Sequence, residues 1–512
     1  MMSLKFGGIA AALLAVGLTS PALAQKAKDT LRYPMQENEP TFERYTSPGA
    51  YHYVWSNAVW DDLLGFDPGT GKFLPALAKA YSQPSDTVYE YELREDVKWH
   101  DGQSFTADDV VYTLSWLTDP KTQLRYKANW NWIAKVEKLG PYKVRVTAKH
   151  PVPDGLMWMA SGWPIYPKHA HEPLADKSAF GDKPIGTGPY KINKVDKTTG
   201  IVAENYKDYR PTRLKPKGAF GHILSEPIHD SGTLVAALLT GKADLVADIP
   251  SDQAAELVKS GRFEVSVAPP AVGYTFLTFP SSGWKNKKLL ADQRVRMAVA
   301  KAIDRNILVK AKYGALAGDI TPTEGLCDKA QLGCGYTKLY PNFDPAGAKK
   351  LLAEAGYPDG FDVVISAFQK YVPEAVAISG MLRNIGIKAD VTPITISSRV
   401  QLLNQGRVEI GLFGWSGGAS FEVSPQIVRH FLSNDYDDAQ MNTEAAKILP
   451  ILDDAERRKA AAKVFDQLNE KAYAFPMTPS REVYTHTKEV KLLASGTMHA
   501  AQTIPVNEFG WK

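Results

Sequence analysis

Cysteine is nearly absent from this 512-residue chain: there are two, Cys327 and Cys334, in the segment CDKAQLGC. That scarcity excludes a disulfide-dense scaffold and a cysteine-built zinc cluster, and the spacing is not the C-x-x-C of a redox pair. Long apolar runs are also missing. The one that stands out, Phe6 to Leu18, covers 13 residues, whereas a spanning helix requires about 20. Charge of one sign does not accumulate. Lys and Arg number 60 against 56 Asp and Glu, a net charge of +4 spread along the chain, without the basic block that nucleic acid demands. There is no G-x-x-x-x-G-K-[ST] phosphate loop and no H-E-x-x-H metal motif. No internal repeat or low-complexity segment is visible, and the sequence calls for no cofactor.

What is present begins with an export leader. Met1 to Lys5 is a short positive start, the apolar run follows, and Pro21-Ala22-Leu23-Ala24 supplies an A-x-A-like site with cleavage before Gln25. No cysteine sits near the cleavage site to carry a lipid. A cleaved, unanchored protein fits the periplasm, and in that oxidising compartment Cys327 and Cys334 are expected to form a structural staple. Removing 24 of 512 residues leaves about 490, too many for one core and suited to two large lobes. Hydrophobic content of 44% and charged content of 23% are those of an ordinary globular chain. The 11 Trp and 23 Tyr would serve equally as core or as amphipathic walls of a ligand cleft.

Local patterns place several elements. Leu31-Arg32-Tyr33 starts a strand that runs into the polar loop Gln36-Glu37-Asn38-Glu39-Pro40. Residues 66–73 read as a hairpin, and 89–93 alternate as a half-buried strand. Thr106 followed by Asp109 predicts a capped helix through Leu117. In the second half, Asp344-Pro345 opens a helix ending at Gly356. Strands at 361–367, 387–394 and 408–413 then alternate with helices at 373–384 and 398–404, which predicts a mainly parallel sheet. Ligands bind such sheets outside the carboxyl ends of the strands. Phe413-Gly414-Trp415-Ser416 falls at such an end.

The stretch YELREDVKWHDGQSFTADDVVYTLSWL at 91–117 resembles the signature region of the extracellular solute-binding proteins of family 5, the peptide, opine and nickel class. IGTGPYKI at 185–192, DQRVRMAVAKAIDRNILV at 292–309, FDPAGAKKLLAEAGYPDGF at 343–361 and IGIKADV at 385–391 follow in the family's order. The resemblance implies an α/β, two-lobed periplasmic-binding-protein-like fold with an extra subdomain inserted in the N-terminal lobe. On this chain, lobe I would comprise residues 25–55, 186–283 and 489–512. The inserted subdomain would be 56–185 and lobe II 284–488. It further implies a non-catalytic, monomeric solute-binding component of an ABC import system. Such a receptor delivers its solute to inner-membrane permease subunits served by separate ATPase subunits.

Trp415 is the leading site candidate, since family members commonly carry a Trp there on the cleft wall. Peptide-binding members tend to continue with an aspartate-rich stretch that pairs with the peptide amine. Here Ser416-Gly417-Gly418-Ala419-Ser420-Phe421-Glu422 follows. A buried ammonium without a counter-charge is costly, so a neutral or anionic solute held by backbone N–H and Ser groups is expected. Peptide-like compounds, opines, glycosides and metal chelates stay open. Further ligand-binding candidates are Ser416, Gly417, Glu37, Asn38, Trp130, Trp132, Tyr274 and Arg399, with Gln36 and Tyr126 beside them; Arg399 could clamp a carboxylate. Gly186, Gly188 and Pro189 are expected to shape a tight turn. Arg294, Arg296, Lys301, Asp304 and Arg305 read as solvated charges on an amphipathic helix.

Two rival readings come from short motifs. Gly414-Trp415-Ser416-Gly417-Gly418 matches G-x-S-x-G, with Asp453, His486 and His499 following in triad order, which would suit a serine hydrolase. The pattern is permissive, and nothing upstream resembles an oxyanion-hole loop. His169-Ala170-His171 could touch a metal, but the flanking Pro167 and Pro173 read as an exposed loop.

Overall fold

The computed structural model describes residues 29–36, 41–46, 52–125, 127–160, 162–196, 198–269, 272–284, 287–415, 421–432, 435–493 and 504–512. The leader and its cleavage site, Glu37, Asn38, Tyr126, Ser416, Gly417, Gly418 and His499 lie outside the described residues. Among the described residues no helix is long and apolar enough to cross a membrane.

The local helix and strand patterns of the second half produce a sheet in the order Lys388–Ile394, Asp362–Phe368, Ile410–Trp415, Tyr274–Thr278, Ala474–Pro479. The first three strands are mutually parallel, and the last two join antiparallel. Helix Val372–Arg383 buries Ala375, Ile378 and Leu382, a helical stripe, against an aliphatic core with Ile365, Ile387, Ile410 and Leu412. Gly386, at φ +89, turns the chain from that helix into the next strand, where any side chain would be strained. The fold is α/β and two-lobed.

The other lobe is assembled from distant segments. Thr30–Arg32 pairs in parallel with His222–Ser225, which continues through Gly200–Asn205 to Tyr190–Asp196. Strand Val483–Thr487 inserts between Leu245–Ala247 and Phe263–Val267. Arg32 joins these two sheets by a bidentate pair with the fully buried Asp244, both contacts at 2.8 Å. The sequence-based limit at 283/284 falls beyond strand Tyr274–Thr278, which lies in the five-stranded sheet. The limit at 488/489 likewise falls beyond Val483–Thr487, which pairs in the three-stranded one.

The segment between these parts carries the hairpin Leu64–Asp67 with Lys72–Pro75. It also carries an antiparallel sheet ordered Ala78–Ser85, Val88–Leu93, Lys143–Ala148, Ile133–Gly140. Helix Ala107–Thr118 is capped as the sequence predicts, with Thr106 and Asp109 bonding reciprocally across its first turn; such a cap contributes about 1 kcal/mol. The core here is aromatic: Trp99, Trp130, Tyr89, Tyr91 and Tyr166 are all essentially buried.

One local expectation is extended and another changes. The chain bends at 187–189 as expected, and Gly186 and Gly188 also serve close approach. A Cβ at Gly186 would lie 1.8 Å from the Val59 carbonyl oxygen, and one at Gly188 2.6 Å from that of Ala58. His100 locks this contact from the inserted side, its Nδ1 accepting from the Gly186 N–H at 3.1 Å and its Nε2 meeting the Gly188 carbonyl at 2.9 Å. The change concerns the charged helix. Arg296 is 3% exposed and donates to the carbonyls of Ala472, Leu290 and Lys471 at 3.0, 2.7 and 2.6 Å. It also stacks on Trp284, 4.6 Å from the ring centre. Helix Gln293–Lys301 ends before Asp304, which caps the next helix, Arg305–Tyr313. Arg296 is therefore a buried carbonyl clamp, not a solvated charge.

Candidate functional site

The position of Trp415 follows from strand register. Tyr274 is the first residue of its strand, entered from the first lobe, and it pairs with Trp415 on one side and Pro479 on the other. Pro479 ends the strand that leaves for the first lobe. The two crossings are tied together: Ser480 N–H donates to Gly273, Ala268 N–H to Glu482, and Arg481 Nε to Ala268, at 2.9, 2.8 and 2.6 Å. The carboxyl end of strand Ile410–Trp415 thus faces the junction between lobes, where open α/β sheets bind ligands. Trp415 is half-buried there.

Behind the indole is a polar wall. Tyr274, 2% exposed, has its hydroxyl on the Leu326 carbonyl and 3.1 Å from His430 Nε2. The Trp415 and His430 ring centres are 6.4 Å apart. The chain beyond residues 416–420 reaches the inserted segment: the Phe421 ring lies 5.3 Å from that of Phe66, in an apolar cluster with Met157 and Val272. Glu422 is fully buried and 3.3 Å from Arg457 Nε. Burial and the nearby Asp154 outweigh Arg457 and push the Glu422 carboxyl up to about 7. This carboxylate, the nearest acid after Trp415, is committed to its own chain.

A lysine and two acidic residues meet at the junction, and none of these residues was singled out from sequence. Lys370, just past strand Asp362–Phe368, keeps solvent contact. Partial burial lowers its ammonium pKa, but Tyr371, Asp248 and Glu482 outweigh this and hold it above the ordinary value. Asp248 and Glu482 come from the first lobe. Asp248 is exposed and accepts from the Val483 N–H at 3.2 Å. Glu482 is buried and takes the Tyr484 hydroxyl, and burial raises its carboxyl well above the ordinary value. Asp248 also sits at φ 53, a left-handed conformation rare outside glycine. A lysine just after a parallel strand was the available signal.

The remaining candidates do not converge on this point. Trp130 and Trp132, 2% and 6% exposed, pack in the aromatic core of the inserted segment, Trp130 against Tyr45, Trp158 and Trp163 and Trp132 against Tyr89. Arg399 lies on helix Ile396–Asn404 with Nη2 2.9 Å from Asp435 and its guanidinium 5.0 Å from the Phe413 ring centre. Gln36 donates to Ser231 at 3.1 Å. Asp453 caps helix Asp454–Glu470. His486 is held on the first-lobe sheet, 2.9 Å from both Ser266 Oγ and the Thr487 carbonyl. His171 is buried rather than on an exposed loop, 2.6 Å from the Tyr112 hydroxyl, and burial lowers its pKa to about 3. Among the described residues no group of three or more His, Cys, Asp or Glu could hold a metal. Cys327 and Cys334 are joined by a disulfide.

Residues 72–438 match the family of bacterial extracellular solute-binding proteins, family 5 (middle region). The chain belongs to this family, and it is a solute-binding protein of the kind that serves ABC importers. The glutathione-binding protein GsiB of Escherichia coli (strain K12) is 28% identical over 503 residues, covering 93% of this chain and 94% of that protein. The periplasmic binding protein DppA from Helicobacter pylori, solved with the peptide STSA, matches with a TM-score of 0.75 at 22% identity, over 94% of this chain and 98% of that one. AgaA from Agrobacterium tumefaciens R10, solved with agropinic acid, gives 0.72 at 24% identity, over 94% and 99%. These relatives are named as binding proteins, and nothing among them supports the serine-hydrolase reading.

Proposed function

We propose that this chain is a non-catalytic, monomeric periplasmic receptor. It captures a small peptide-like or opine-like zwitterion at the junction of its lobes and delivers it to inner-membrane permease subunits driven by a separate ATPase. One lobe is residues 29–36, 190–269 and 482–512, the other 274–479, and 52–189 form the inserted subdomain. The observation that carries the reading is Trp415 at the carboxyl end of its strand, opposite the first lobe, with Lys370 and the exposed Asp248 on the same junction. An aromatic wall with both signs of charge suits a solute bearing an ammonium and a carboxylate. Glutathione, the compound in the name of the relative GsiB, has that chemistry. The missing aspartate after Trp415 is offset by Asp248 from the other lobe, so an amine-bearing solute regains its counter-charge. Closure of the lobes would bury the solute and present the closed surface to the permease.

Calorimetric titration of residues 25–512 with glutathione, dipeptides and opines tests this. Binding of one class without turnover is expected, and Trp415→Ala should weaken it by about 1–3 kcal/mol with little change in melting temperature. Unchanged affinity in that variant removes Trp415 from the pocket. Hydrolysis of a bound compound, lost in Ser416→Ala, would restore the enzyme reading.

A further inference from the structure

The loop between the two cysteines lies directly behind the Trp415 wall. Leu332 N–H donates to the Phe421 carbonyl at 2.7 Å, and Val423 N–H to the Leu332 carbonyl at 3.0 Å, so the loop pairs with the chain that follows the cleft. It is anchored on its other side by Gly333 N–H on Asp454 at 2.6 Å and by Arg458 Nη1 on the Cys334 carbonyl at 2.8 Å. From its middle, Gln331 points inward and is fully buried, as is Gln426. With the Gln426 amide turned, its oxygen accepts from Trp415 Nε1 at 3.1 Å and from Gln331 Nε2 at 2.7 Å, and it lies 2.9 Å from Gln331 Oε1, to which the nitrogen donates in the other orientation. In the turned amide the nitrogen donates to the Glu422 carbonyl at 3.2 Å. Gln331 is itself fixed, its oxygen accepting from Asp328 N–H at 2.9 Å.

We infer that the disulfide-closed loop 327–334 is a positioning element for the solute-facing indole, with Gln331 and Gln426 as the positioning residues that transmit its geometry to Trp415. The inference rests on the reading of Trp415 as the cleft wall. The physical reason lies in the dry surroundings of the two amides. A buried amide must satisfy its oxygen and its N–H groups together, so the loop's conformation dictates where Gln426 presents its oxygen. That oxygen fixes the direction of the indole N–H. Trp415 is half-buried at its strand end, so the hydrogen bond to its indole N–H helps set the turn of the ring that faces the cleft. Holding it before the solute arrives removes an ordering cost from binding. The disulfide closes a short loop whose two cysteines are buried in the lobe's core, and so helps keep Gln331 in place.

The test reads the indole itself, without needing the solute. In mature protein labelled with 15N at its tryptophan indoles, Trp415→Phe identifies the Trp415 N–H signal among those of the 11 tryptophans. Gln331→Met and Gln426→Met are expected to move and broaden that signal while leaving those of Trp99 and Trp130 in place; a Cys327→Ser, Cys334→Ser double variant is expected to do the same to a lesser degree. Titration with glutathione should then show roughly tenfold weaker binding in Gln331→Met, the fold-change that ~1.4 kcal/mol gives, carried mainly by faster release. A Trp415 signal that stays put in both glutamine variants overturns the inference. Should either variant fail to fold, all the tryptophan signals collapse together and the double cysteine variant decides by the same criterion. If the glutamine variants move the signal but Trp415→Ala leaves glutathione binding untouched, the cleft-wall reading fails while the coupling of loop to indole stands.

Discussion

The sheet-and-helix layer of the second lobe and the inserted subdomain bury their side chains by different physics. That layer relies mainly on Ile, Val, Leu and Ala from strands and helices that alternate along the chain, with Ile365, Ile378, Leu382 and Ile410 fully buried, while a second cluster of the same lobe is aromatic, with Tyr274, Phe276, Phe413 and Phe431. Aliphatic burial has no direction, so it imposes a periodicity and little else. The subdomain relies on Trp and Tyr, whose polar tips call for partners once buried, although among the described residues those of Tyr91, Trp132 and Trp163 have none. Tyr89 donates to the Val152 carbonyl at 2.9 Å, Tyr45 to Pro164 at 2.5 Å and Tyr166 to Glu43 at 3.1 Å. Such a core depends on contacts from far along the chain. One protein thus holds a forgiving scaffold beside a demanding one, and the candidate site lies on the forgiving one, where it meets the first lobe.

The largest expected effect would break this contrast from the aliphatic side. Arg296 is the polar knot of the second lobe, and Arg296→Ala leaves three backbone carbonyls without their donor. Denaturant unfolding should show a loss of about 3 kcal/mol; a loss under 1 kcal/mol would mean water replaces the guanidinium. Next comes Gly186→Ala at the seam of the subdomain, where the new Cβ meets the Val59 carbonyl. A cost of about 2–3 kcal/mol is expected, and a neutral result would show that the seam yields. The smallest effect sharpens the comparison at the interface itself. Glu422 has an ordinary value of 4.5 raised to about 7, so the folded state holds more protons than the unfolded one within that window. Its contribution is fully present below 4.5 and is lost as pH rises through 7. Glu422→Gln should flatten this slope by roughly 1 kcal/mol, less than the full shift implies because Asp154 and Arg457 readjust. An unchanged slope would assign the proton elsewhere.

Legibility tracked the same divide. The strands at 362–368, 388–394 and 410–415 and their helices were readable because each element's periodicity is complete within its own few residues. The helix cap at Thr106 was readable because it is complete within four residues. The lobe limits were not, since Tyr274–Thr278 and Val483–Thr487 choose their sheets by pairing with strands more than a hundred residues away. Arg296 was misread because a charge on an amphipathic helix looks solvated until the carbonyls of Lys471 and Ala472 arrive beside it. Of the candidate site, Trp415 was placed by the strand pattern and the family resemblance. Lys370 and Asp248 were missed because their meeting requires the two lobes to face each other.

The sequence by itself determined the family, the α/β character of the second lobe and the strand end that carries Trp415, because these depend on local periodicity and short motifs. Only the tertiary structure decided which charges share the junction, which acid is spent on Arg457, and that the loop of the two cysteines lies behind the indole. Hydrogen bonds and ion pairs are short-ranged and directional, and residues distant in sequence can make them only once the chain has brought them together.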